Sequence, residues 1–200
     1  MADDPREVLT IGHSNHPMEQ FLALLHEAGV TAVADVRSAP HSRYVPQFNH
    51  DALKVALRGA GIAHVYLGKE LGGRPQHPQQ YRDGVVDYEK IAATEAFQAG
   101  LQRVVDGAAT HRVALMCAEQ HPLDCHRCLL VGRALAARGA CVGHILPDGT
   151  VTTQADIEAE LLRRTGRDKA DLFMSPAERL AAAYREHARK VAFAAAADAG

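Results

Sequence analysis

Short apolar runs alternate with helix-spaced apolar positions along the first three quarters of the chain. The runs at residues 8–11, 31–36, 63–67, 112–117 and 141–146 are almost continuously hydrophobic, the pattern of strands covered on both faces. Between them, Met18, Phe21, Leu22 and Leu25 fall on one helical face, opened by Pro17 and closed by Gly29. Leu53, Ala56, Leu57 and Ala60 mark a second helix, stopped by Gly59 and Gly61. A short helical stretch at residues 88–91 leads into a better-patterned one with Phe97, Leu101, Val104 and Val105, and residues 126–138 predict another, ended by Gly139. Residues 68–87 have neither period. Their Gly, Pro, His and Gln predict a long loop, of a length that is often functional.

This alternation predicts an α/β fold. Residues 8–148 are expected to form a three-layer sandwich around a mostly parallel, doubly wound sheet of about five strands. The strand order does not follow from the pattern. After Pro147-Asp148-Gly149 the pattern changes. Thr153 can cap a helix carrying Ile157, Leu161 and Leu162, and a charged linker follows at residues 163–171. Ser175-Pro176-Ala177-Glu178 is a capping box with proline at the first helical position. It opens an alanine-rich helix with Leu180, Tyr184, Ala188 and Val191 on one stripe. Residues 149–200 are therefore expected to be a C-terminal helical extension that packs back on the domain.

The 200 residues suit one domain and a short appendage, and the formal net charge of −2 gives no basic footprint of a dedicated nucleic-acid binder. Net charge does not report distribution, so a nucleic-acid-associated binding module stays open, as does the oligomeric state. No apolar run approaches the ~18 residues a membrane span needs. The polar start at residues 1–7 lacks the features of a secretory signal. Four cysteines are too few for a disulfide scaffold. A cytoplasmic setting with free thiols is expected. Neither a dinucleotide-binding glycine fingerprint nor a Gly-x-x-x-x-Gly-Lys phosphate loop is present.

Ligands of open parallel sheets bind beyond the carboxyl ends of the strands, and those ends are where ionisable residues collect here. The first strand delivers His13 and Ser14, and the second Asp35 and Arg37, followed by Ser42 and Arg43. The fourth delivers Cys117 and Glu119, and the loop after it carries Asp124, Cys125, His126 and Arg127 to the start of a helix. A helix start favours thiolates and anions.

Three chemistries fit. In the first, Cys117 or Cys125 is a nucleophile of a transferase or hydrolase, Glu119, His126 and His13 move protons, and Asp35, Arg37, Ser42, Arg43, Arg127 and Ser14 hold an anionic substrate. The placement is similar to rhodaneses and cysteine phosphatases, but Cys117 and Arg127 are too far apart for their tight cradle. In the second, Cys117, Cys125 and His126 bind a metal such as zinc, with a further ligand from elsewhere. In the third, the two thiols form a reversible redox pair. Asp35 and Arg37 can equally form a structural ion pair. Cys128 and Cys141 read as core residues. The pattern does not identify a cofactor or a substrate.

Four motifs, Thr10-Ile-Gly-His-Ser-Asn15, Asp35-Val-Arg-Ser-Ala-Pro40, Leu67-Gly-Lys-Glu-Leu-Gly-Gly73 and Cys117-Ala-Glu-Gln-His-Pro-Leu-Asp-Cys-His-Arg127, occur in this order. Together they resemble the domain of unknown function 488 family over about residues 8–146. The resemblance implies an α/β domain of bacterial or archaeal type, with His13, Asp35, Arg37, Cys117, Glu119, Cys125, His126 and Arg127 as signature positions. It implies no activity.

Overall fold

The computed structural model describes residues 6–195, so the polar start at residues 1–5 lies outside the described residues. The predicted sheet forms from β1 (Glu7–Gly12), β2 (Ala32–Asp35), β3 (Ala63–Tyr66), β6 (Val113–Cys117) and β7 (Cys141–Ile145), all parallel. A sixth strand that the pattern does not announce, β8 (Val151–Thr153), adds antiparallel to β7 beyond the Pro147-Asp148-Gly149 turn. The order is β3-β2-β6-β1-β7-β8. The chain thus lays β6 between β1 and β2, so the end of β6 is flanked by the ends of the two strands that carry His13 and Arg37.

Helices cover both faces. On one side α1 (Met18–Glu27) and α2 (His50–Gly59) bury Phe21, Leu25, Leu53 and Leu57 against Leu9, Ile11, Val33, Ala114 and Met116. On the other, α4 (Tyr88–Ala92), α5 (Glu95–Gly107) and α6 (Arg133–Ala137) cover Val8, Ala34, Val36, Leu115 and Cys117. The period of two along β6 therefore points Cys117 to the second face, with Leu115 and Val113. The C-terminal helices α7 (Gln154–Arg164) and α8 (Pro176–Val191) start at the Thr153 and Ser175 capping boxes and pack on this same face through Ile157, Leu161 and Tyr184. Among the described residues no helix is long and apolar enough to cross a membrane.

Two local expectations are corrected. Residues 68–87 are not an unstructured loop. They form the short helix α3 (Gly68–Leu71) and a hairpin of β4 (Tyr81–Arg82) and β5 (Val85–Val86), turned by Asp83 and Gly84 at φ 53° and 76°. Positive φ at both turn residues is what a two-residue hairpin requires. The helix expected over residues 126–138 begins as a π-helical segment, Arg127–Gly132, before tightening into α6. Such widened turns tend to sit at functional sites.

Candidate metal and anion site

Four donors meet where β6 ends. Cys117 closes the strand. Glu119 lies in the loop after it, and a short turn at Pro122–Asp124 brings Cys125 and His126 back to the same place. Ligand atoms of these four residues lie within 4.8 Å of one another, and only Glu119 among them is not buried. The Cys117 and Cys125 sulfurs each lie 3.0 Å from Glu119 Oε2, within hydrogen-bond distance.

His126 fixes the polarity of the cluster. Its Nε2 stands 2.9 Å from the carbonyl of Val36. A carbonyl only accepts, so Nε2 carries a proton and Nδ1 is the nitrogen turned to the sulfurs; burial opposes a charged ring, but the neighbouring Cys125 raises its pKa. Nδ1 faces Cys117 Sγ at 3.6 Å and Cys125 Sγ at 3.8 Å. Gly73 packs against the other side of the ring, where a Cβ would lie 2.7 Å from His126 Cγ, so only glycine lets the loop approach this closely. Gly12 plays the same part on β1, where a Cβ would fall 1.9 Å from the Glu119 carbonyl oxygen.

The charges are tightly interdependent. Burial opposes a Cys125 thiolate, but a hydrogen bond from the Cys117 thiol and the positive charges of Arg127 and His126 prevail and hold its pKa well below the usual thiol value. Burial and the neighbouring Cys125 push Cys117 well above that value. Burial also raises Glu119, and the charge of Cys125 adds to it.

Around the cluster the expected anion-holding residues take different places. Arg37 is buried and makes a two-pronged pair with Asp35, Nε to Oδ1 at 2.9 Å and Nη2 to Oδ2 at 2.7 Å. Its Nη1 donates to His13 Nε2 at 3.1 Å. His13 in turn gives its Nδ1 proton to the Ser14 carbonyl at 2.8 Å and stacks on Phe48. Burial lowers its pKa to about 4. With both nitrogens engaged, His13 is a neutral prop for Arg37 and not a proton carrier for the thiols. Ser14 shapes this prop through its backbone, at φ 46°.

Ser42 stands at the cleft wall, its backbone N–H bound to Asn49 Oδ1 at 2.7 Å. Arg43 is exposed and lies over the Tyr44 ring, 4.7 Å from its centroid, outside the cleft. Arg127 departs furthest from the expectation. It is completely buried, and its Nη1 and Nη2 donate to the Glu119 and Gln120 carbonyls at 2.5 and 2.8 Å. It clamps the ligand loop from behind and cannot hold a substrate anion. Cys128 is core, as expected, but Cys141 is exposed because it starts β7 at the rim of the sheet.

Over the cluster opens a cavity of about 290 Å³. Besides Arg37, its walls include His41, which the sequence places after the second strand with Ser42 and Arg43, and Ser38, Arg74, Tyr88 and Phe193, which it does not single out as site residues. The glycine pair before Arg74 is a signal that could have pointed to it. Nothing in the pattern marks Phe193. A larger hollow, about 600 Å³, runs between α8 and the β4–β5 hairpin. It contains no thiol, and much of its charge is paired internally, as in Arg82–Asp87 at 2.9 Å and Arg185–Glu89 at 3.4 Å. Asp35, His50 and His64 form a second close group. Its one carboxylate already neutralises Arg37, so a dication there would face a buried guanidinium with no remaining negative charge.

A family model described as "Domain of unknown function DUF488" matches residues 17–134. The chain belongs to this family. The match takes in the DUF488 motifs at Asp35, Gly72-Gly73 and the Cys117–Arg127 loop, and stops short of β1 and β7. All four clustered donors lie inside the DUF488 region, while α8 and Phe193 lie outside it. Neither the curated proteins nor the solved structures contain a match to this DUF488 chain.

Proposed function

We propose that the protein binds a thiophilic divalent ion of the zinc class through Cys117, Glu119, Cys125 and His126, and uses it to meet a small anionic substrate in the cleft above. The observation that carries this reading is the His126 ring, whose Nδ1 faces two sulfurs at 3.6 and 3.8 Å. Around a tetrahedral ion with bonds of about 2.3 Å to sulfur and about 2.05 Å to nitrogen, those atoms stand about 3.6 Å apart. The sulfur–carboxylate spacings of 3.0 Å suit thiol hydrogen bonds, and they would need to open by about half an ångström when metal replaces the protons. The Val36 carbonyl supplies the orienting partner that metal-bound imidazoles usually have. Charge also supports the site, because two thiolates and a carboxylate exceed a dication by one, with Arg127 and Arg37 close by. The bound ion would supply Lewis acidity. Glu119, the one donor that is not buried, is the ligand a substrate oxygen can displace.

The test is metal analysis of protein reconstituted with zinc under reducing conditions. About one equivalent per chain is expected, falling below a tenth in Cys125→Ser with an unchanged far-ultraviolet circular dichroism spectrum. A parent protein that retains no zinc after gel filtration would sink the reading.

A second reading, catalysis by the Cys125 thiolate, draws on one observation: its sulfur accepts the Arg127 backbone N–H at 3.4 Å, beside His126. It requires metal-free protein to be alkylated at Cys125 by iodoacetamide at pH 6, faster than a free thiol. We place either chemistry in the cytoplasm, whose reducing conditions suit four unpaired cysteines.

A further inference from the structure

The cleft has a wall that the family region does not provide. Beyond α8 the chain runs antiparallel to β5: Val86 N–H donates to the Phe193 carbonyl at 3.0 Å, Ala195 N–H to the Gly84 carbonyl at 2.9 Å, and Ala194 bridges Val85. This strap lays Val191 and Phe193 along the cavity. Phe193 is 38% exposed. The guanidinium of Arg74 sits 4.9 Å from its centroid. Arg74 is anchored by its own backbone N–H, which donates to Ser38 Oγ at 2.9 Å. Among the described residues no carboxylate pairs with Arg74. At the mouth of the cleft, then, an aromatic face and a cation without an acidic partner stand together over the Cys–His–Glu floor.

From this juxtaposition we propose that the cleft takes a small phosphate- or carboxylate-bearing molecule with a flat ring, the ring on Phe193 and the anion on Arg74. The proposal deepens the metal reading and rests on it for the direction in which the ligand enters. The cavity of about 290 Å³ is at the low end for ligand pockets. It has room for one ring and one anionic group but not for an oligomer. Stacking is worth a factor of a few to about ten in affinity, and it acts on planar rings, where simple apolar contact would accept a saturated ring as well. The strap thereby makes ligand choice a property of this chain's C-terminus and leaves the metal floor to the family loop.

The test is calorimetric titration of the zinc-loaded full chain with phenyl phosphate, cyclohexyl phosphate and inorganic phosphate. Phenyl phosphate is expected to bind at least about five-fold tighter than cyclohexyl phosphate. Phe193→Ala should remove that preference, and Phe193→Tyr should keep it. Arg74→Gln should weaken all three ligands. Equal affinity for the two ring phosphates, or a preference that survives Phe193→Ala, overturns the proposal. Repeating the titration after zinc removal separates the two readings. A ring preference in a protein that never holds zinc upholds the strap and refutes the metal, and a zinc-loaded protein without ring preference does the reverse.

Discussion

Arg127 shows how much one side chain can do without touching a substrate. Its buried guanidinium spans two consecutive carbonyls of the ligand loop, at Glu119 and Gln120. Two charge-assisted bonds and a desolvated loop depend on it. Arg127→Met is expected to lower unfolding free energy by about 3 kcal/mol in urea titrations. Arg127→Lys should rescue little, because a point charge cannot fork to two acceptors. A surface role predicts the opposite, namely near-wild-type stability for both variants. The sequence could show that an arginine follows Cys125-His126, but not which way it turns. Arg127 opens the π-helical segment, a local geometry that the apolar spacing does not announce. For Glu119 and the thiols direction mattered less, because a single short loop forces them together.

At the scale of elements, a buried chain of polar groups ties the sheet to its C-terminal helices. Thr10 Oγ1 on β1 meets His144 Nδ1 on β7 at 2.8 Å, and His144 Nε2 meets Gln154 Oε1 on α7 at 2.9 Å. Gln154 Nε2 then donates to the Tyr184 hydroxyl on α8 at 2.6 Å, and that hydroxyl donates to Glu158 at 2.8 Å. The order of donors works with a neutral His144, and burial lowers its pKa to about 4. Unfolded, the same histidine titrates near 6.5, so between these values the unfolded chain binds the extra proton. Its contribution is complete above pH ~6.5 and is lost as pH falls towards ~4. From pH 7 to pH 5 the loss due to His144 should be about 2 kcal/mol. Denaturant titrations of the parent and His144→Gln at both pH values check this, since the variant should lack that part of the decline.

The parallel strands were the legible elements: β1, β2, β6 and β7 lie inside the sheet, mostly buried, and leave almost continuous apolar runs, whereas β3 is a half-exposed edge. β8 and the β4–β5 hairpin were not, being two or three residues long, too short for any period. The Asp83-Gly84 turn was their one readable trace.

For the molecule as a whole, the metal reading makes stability a function of free zinc. A ligand present at a thousand times its dissociation constant adds about 4 kcal/mol to the folded state, less whatever affinity the unfolded chain retains. In a domain of this size that is a rise of roughly 8–16 °C in midpoint. Differential scanning with zinc, then with excess chelator, should show the rise and its reversal. Cys117→Ser should show neither. An identical midpoint in all three would mean that the cluster is held by its own hydrogen bonds alone. Strand order and the packing of α8 on the Cys117 face belong to this scale too. Neither could be read in advance, because they depend on which of two helical layers each crossover joins.

All four donors fall between positions 117 and 126, a stretch of ten residues. Closing so small a ring of chain costs little entropy. On the metal reading, the set of donors is complete once His126 has been synthesised, and the Val36 carbonyl that orients its ring is already made, so loading would not have to wait for β7 to complete the sheet.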